Sequence, residues 1–109
     1  KKYFMAYQDL APKEFLETYK TQESNAVLLD VRTPAEIAEI NIDGHIAIDI
    51  QHPTFLEKIG QLDKSKTYFV YCRSGNRSGQ ACKYMATQGF EKLYNLKGGM
   101  LSWMDTDFE

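Results

Sequence analysis

Two short apolar runs constrain this chain more than anything else in it: Ala26-Val-Leu-Leu-Asp30 and Thr67-Tyr-Phe-Val-Tyr71. Neither alternates apolar with polar residues, as a strand with one wet face does. Unbroken runs of this kind belong to strands covered on both faces, the usual condition of a parallel sheet. Parallel neighbours need a crossover between them, so helices must alternate with the strands. Ile46-Ala-Ile-Asp-Ile50 and Lys92-Leu-Tyr-Asn-Leu96 read as two further strands, and Lys2–Ala6 as an edge strand.

The intervening segments carry helix signals. Pro12 suits the first turn of a helix with Phe15, Leu16 and Tyr19 at helical spacing. Thr33-Pro34-Ala35-Glu36 combines an N-cap, a first-turn proline and a capping-box glutamate. Pro53 opens a helix through Phe55, Leu56 and Ile59, with Gly60 as its stop. The longest helix is expected from Arg77 to Gln88, ending at Gly89. A last one follows Gly98-Gly99, with Met100, Leu101, Trp103 and Met104 toward the core. A chain of 109 residues holds one such core and no second, so residues 1–109 are expected to form a single α/β domain.

Composition narrows the function classes. A net charge of −2, without a basic face, argues against a general nucleic-acid binder. No stretch approaches the about eighteen apolar residues of a membrane span, so no membrane partner is expected. The two cysteines, Cys72 and Cys82, make neither a disulfide scaffold nor, with only two histidines, a metal site. No metal or cofactor is expected. The chain begins at Lys1, so it carries no information about a leader, and a cytoplasmic location is the default, with periplasmic or secreted locations left open.

The chemistry concentrates in Cys72-Arg-Ser-Gly-Asn-Arg-Ser78, directly after the strongest strand and directly before the longest helix. In open α/β sheets ligands bind outside the carboxyl ends of strands. A cysteine nucleophile must be a thiolate, and the free thiol pKa of about 8.5 falls to about 3.5–7.5 beside cations or at helix N-termini. Arg73, Arg77 and the following helix start offer both influences. Gly75 permits positive φ, so successive N–H groups can turn inward as an anion cradle. Asn76 tolerates the same geometry, and Ser74 and Ser78 add hydroxyl donors. Arg77 opposes the helix macrodipole, an unfavourable placement unless a bound anion offsets it.

These residues resemble the rhodanese family of sulfurtransferases, and the resemblance covers nearly the whole chain. Leu28-Leu-Asp-Val-Arg-Thr-Pro-Ala-Glu36 is similar to the family's early strand-to-helix motif, Cys72–Ser78 to its active-site loop, and Leu96-Lys-Gly-Gly-Met-Leu-Ser-Trp103 to its closing segment. The resemblance implies a central, mostly parallel five-stranded sheet flanked by helices on both faces. It further implies that Cys72 is the catalytic nucleophile and carries sulfur as a persulfide, with Arg73, Ser74, Gly75, Asn76, Arg77 and Ser78 as the substrate-binding cradle. The donor would be a small sulfur anion, thiosulfate or a low-molecular-weight persulfide; the acceptor would be cyanide in an assay, a thiol or a protein in the cell. The six residues from Cys72 to Arg77 match the sulfurtransferase loop, whereas related phosphatases use one more. One departure stands out. The family's Gly-His-Ile falls, counted without gaps from Asp30, on Ile40-Asn41-Ile42, and the visible Gly44-His45-Ile46 comes four positions late.

Other residues receive structural readings. Cys82 shares a helix face with Ser78, Ala81 and Met85 and reads as a buried thiol. His45 reads as structural, His52 as a loop or cap residue, and Trp103 as a core or pocket-wall anchor. Asp30 and Arg32 support the sheet end, and Arg32 has i,i+4 spacing for an ion pair with Glu36. A domain this small is expected to leave Cys72 near the surface. Two other function classes share the loop: a thiolate phosphatase or arsenate reductase, and a non-catalytic interaction module, the intact Cys72 cradle counting against the latter.

Overall fold

A computed structural model describes residues 6–109. The expected edge strand over residues 2–6 falls outside that range except for Ala6. Among the described residues the edge is β1, Gln8–Leu10. Then follow α1 (Pro12–Thr21), a 3-10 turn (Glu23–Asn25), β2 (Ala26–Asp30), α2 (Pro34–Glu39), β3 (Ile46–Ala47), α3 (Phe55–Gly60), β4 (Thr67–Tyr71), α4 (Asn76–Thr87), β5 (Leu93–Leu96) and α5 (Gly99–Met104). No described helix is long and apolar enough to cross a membrane.

The five described strands form one sheet in the order β1-β5-β4-β2-β3, every pairing parallel. The two apolar runs lie side by side at its centre, Ala26–Asp30 against Thr67–Tyr71 in full register. All five residues of β4 are buried, as a strand covered on both faces requires. Alternation then divides the core in two. Leu29, Val31, Tyr68, Val70 and Cys72 pack with Phe55 and Ile59 of α3 and Ala81, Cys82 and Met85 of α4. Leu28, Phe69 and Tyr71 pack on the other face with Phe15 of α1 and Met100 of α5. There Phe69 lies edge-on to Phe15, centroids 5.5 Å apart, and stacks on Tyr94 at 5.0 Å.

The connections after β2 and β4 leave in opposite directions, one outward to β3 and the other outward to β5. That reversal opens a crevice at the carboxyl ends of the two central strands, where α/β sheets place their ligands. The segments that carry the early motif and the Cys72 loop both end there.

Several element boundaries differ from expectation for local reasons. The strand expected over Ile46–Ile50 is regular only at Ile46–Ala47, although Ile48 and Ile50 still donate to the carbonyls of Asp30 and Val31. The helix α3 starts at Phe55 rather than at Pro53, after a turn in which His52 Nδ1 accepts from the Thr54 N–H at 3.1 Å. Gly60 is its last residue rather than the stop beyond it. In α5 Met100 is the one expected core side chain that is buried, next to a buried Gly99, with Trp103 half-buried against Phe15. Leu101 and Met104 are 44% and 50% exposed, so a six-residue helix lying on one side of the sheet turns them outward.

Candidate active site

The fold brings Cys72–Ser78 to the carboxyl end of β4, with α4 beginning inside the loop at Asn76. Gly75 caps that helix with φ +100°, and this is what turns the chain back over the sulfur. The Cys72 Sγ accepts the Gly75 N–H at 3.1 Å and the Ser78 hydroxyl at 3.2 Å. Burial pushes the thiol up, yet the Ser78 hydroxyl and the N–H groups of Ser78, Gly75 and Ser74 favour the thiolate more, and the net shift is downward. The leading donors are thus the Ser78 hydroxyl and the inward backbone amides, both named in the sequence reading, ahead of the two arginines named beside them. Cys72 is buried, so the thiol forms the floor of the cradle and does not stand open to solvent. Ser74, Asn76 and Arg73 stand exposed at its rim.

Arg77 shows a feature that the sequence reading missed. Its Nη1 and Nη2 donate to the two oxygens of Glu36, both at 2.8 Å. The anion that offsets a cation at this helix start is therefore a side chain of α2. Glu36 is itself fixed by the capping box: its Oε1 accepts the Thr33 N–H at 3.1 Å, and its own N–H donates to Thr33 Oγ1. Hydrogen bonding from Arg77, with help from Thr33, holds its pKa down to about 2. The expected Arg32–Glu36 pair does not form. Arg32 turns instead to Asp30, Nη2 to Oδ2 at 2.7 Å, both residues buried, and also donates to the Ile40 carbonyl at 2.7 Å. Two adjacent i,i+4 and i,i+2 options existed in the sequence, and burial favours the shorter fork with its charge-assisted bonds.

Three residues support the loop in a way the sequence reading did not assign, although it did place Gly98-Gly99 at the start of the last helix and in the closing segment. Asn95 of β5 donates to the Gly75 carbonyl at 3.1 Å and to Asp9 at 2.9 Å, tying the loop to the sheet. A lone amide within an apolar strand run was the available signal. Gly98 and Gly99 start α5, whose first N–H groups donate to the loop: Met100 to the Cys72 carbonyl at 2.9 Å and Leu101 to that of Arg73 at 3.0 Å. A Cβ on Gly99 would collide with the Arg73 carbonyl group and meet the Cys72 oxygen at 2.6 Å. The late Gly44-His45 pair makes a local turn: Gly44 has φ +90°, and His45 Nδ1 donates to the Ile42 carbonyl at 2.8 Å. Cys82 is buried on the sheet face of α4, and burial pushes its thiol strongly upward, which keeps it protonated.

Beside the site lies a cleft of about 420 Å³ between α2, β3 and α3, lined by Pro34, Ile37, Ile48, Asp49, Phe55 and Lys58 among others. None of Cys72–Ser78 lines it.

A cysteine held by inward N–H groups at a parallel-sheet switch point defines a class of cysteine-loop α/β domains, and comparison with known proteins gives the family. Residues 11–106 match the family described as "Rhodanese-like domain". The chain belongs to that family, and its curated relatives place it with the sulfurtransferases. It is 39% identical over 92 residues to "Sulfurtransferase" of Allochromatium vinosum, covering 83% of this chain and 82% of the relative. It is 33% identical over 85 residues to "Thiosulfate sulfurtransferase GlpE" of Pseudomonas syringae pv. syringae, covering 78% of each. Among solved structures, the rhodanese-related protein of Thermoplasma volcanium superposes with a TM-score of 0.79 at 29% identity, over 94% of this chain and 96% of that one.

Proposed function

We propose that this protein transfers sulfane sulfur through a persulfide on Cys72. The observation that carries the reading is the cradle itself: Cys72 Sγ sits at the end of β4 with the Gly75 N–H and the Ser78 hydroxyl aimed at it. The Cys72 thiolate attacks the outer sulfur of thiosulfate or of a low-molecular-weight persulfide. A sulfur–sulfur bond forms to Cys72 as the donor's own sulfur–sulfur bond breaks, and sulfite or a thiolate leaves with that electron pair. Cys72 then holds one extra sulfur, extended by a bond of about 2 Å toward the rim. A thiol, a protein thiolate or cyanide attacks this outer sulfur and restores the Cys72 thiolate. Donors fixed before reaction stabilise the persulfide anion without reorganising.

The six-residue loop from Cys72 to Arg77, one residue shorter than that of related phosphatases, also supports sulfur over phosphorus. The test is steady-state thiocyanate formation from thiosulfate and cyanide, with both substrates varied. Double-reciprocal lines should be parallel, as two half-reactions on one nucleophile require, and Cys72→Ser should abolish turnover. Intersecting lines would contradict the two half-reactions, and turnover retained in the serine variant would remove Cys72 from the reaction.

A further inference from the structure

Arg77 ends the loop, and in a cradle built for anions it is the obvious cation to meet a dianionic donor. The structure occupies it otherwise. Both terminal nitrogens of Arg77 are bonded to Glu36 in a two-pronged ion pair, the geometry in which a guanidinium and a carboxylate match best. Glu36 cannot easily swing away, because Thr33 holds Oε1 through its N–H and its hydroxyl at 3.1 Å each. Of the two loop arginines, only Arg73 forms no ion pair among the described residues, and it is exposed. Arg77 is therefore neutralised by Glu36 and offers little net charge to a donor at the sulfur. A compact dianion gains little from such a site and meets the Glu36 carboxylate if it reaches Arg77.

We propose that Glu36, acting through Arg77, sets the charge preference of the site, directing it toward organic persulfides, whose reacting end carries one charge, and away from dianionic thiosulfate. This rests on the sulfur-transfer reading above and names the donor class within it. The step is the thiolate of Cys72 taking the outer sulfur of the persulfide while the donor's thiolate departs, so that charge, sulfur and electrons balance. Glu36 touches neither reacting atom; it is a positioning residue that neutralises Arg77.

The test measures kcat/KM for thiosulfate and for glutathione persulfide in wild type and Glu36→Gln. Glutamine also completes a capping box, so the start of α2 is kept. Wild type should favour the persulfide. In Glu36→Gln the thiosulfate-to-persulfide ratio should rise about threefold to tenfold, mainly through a lower KM for thiosulfate, as one uncovered charge near the surface allows. A wild type that prefers thiosulfate would overturn the proposal, as would a ratio that stays fixed while both donors change together. Glu36→Ala separates charge from structure: a ratio that moves there but not in Glu36→Gln would make the residue's role purely structural and also overturn it. A second readout does not need sulfur transfer. Iodoacetate and iodoacetamide have similar size but different charge, so their relative rates at Cys72 report the field at the sulfur. That rate ratio should rise in Glu36→Gln even if no donor loads the enzyme, a pattern that would sink the sulfur-transfer reading and leave the charge role of Glu36 standing. An unchanged ratio in an enzyme that does load sulfur would sink the charge role alone.

Discussion

At Cys72 burial and hydrogen bonding act in opposite directions on the same thiol, and hydrogen bonding wins. Ser78 is the side chain that tips the balance, since its hydroxyl lies 3.2 Å from Sγ. Ser78→Ala should therefore move the midpoint of pH-dependent Cys72 alkylation upward, leaving less thiolate at neutral pH and slower sulfur loading there. A midpoint that stays or falls would mean that the backbone amides suffice alone. Cys82 makes the contrast: it shares the core with Cys72 but gains no comparable set of donors, and burial drives its thiol upward. Cys82→Ala should leave the Cys72 midpoint in place, readable in the same alkylation experiment.

Among the elements, α2 and α5 both serve the loop, one through charge and the other through backbone. Glu36 has its pKa held down at about 2, so its contribution to stability is present above the ordinary carboxylate range and lost as pH falls through about 2. The pair is partly exposed, with about a quarter of each side chain open, so its worth is about 1 kcal/mol at most. Glu36→Gln should thus be slightly less stable than wild type at neutral pH, and the gap in urea midpoint should close as pH drops from 4.5 toward 2. A gap that widens on acidification would reverse the sign of this linkage. The α5 contact is steric. Gly99 has φ +60° and leaves no room for a methyl group against Cys72 and Arg73. Gly99→Ala should cost about 2–4 kcal/mol in urea unfolding, or shift the loop and slow sulfur loading instead. A variant that is wild-type in both respects would contradict the close approach.

On the scale of the whole molecule, the sheet joins the two motifs at its switch point, and the Asp30–Arg32 pair locks that end. Asp30→Ala leaves a buried guanidinium without its carboxylate and should cost about 3–5 kcal/mol, measured by urea denaturation. A cost below about 1 kcal/mol would mean that water replaces the carboxylate. The architecture was readable because Ala26–Asp30 and Thr67–Tyr71 are apolar throughout, and a strand covered on both faces leaves little choice of partner layer. The Cys72 loop was readable because nucleophile, glycine and helix start are contiguous. The partner of Arg77 was not, since Glu36 lies 41 residues away and only the fold puts α2 beside α4. Arg32 offered a nearer and wrong choice. The support from Asn95, Gly98 and Gly99 depended in the same way on strand β5 lying beside β4.

The central claim is that Cys72 carries the transferred sulfur, and intact-mass measurement after incubation with glutathione persulfide or thiosulfate tests it most directly. Wild type should gain the mass of one sulfur atom, lose it on adding cyanide, and yield a modified peptide containing Cys72; Cys72→Ser should gain nothing. An unmodified wild type with both donors, or a sulfur gained equally by the serine variant, would contradict the account.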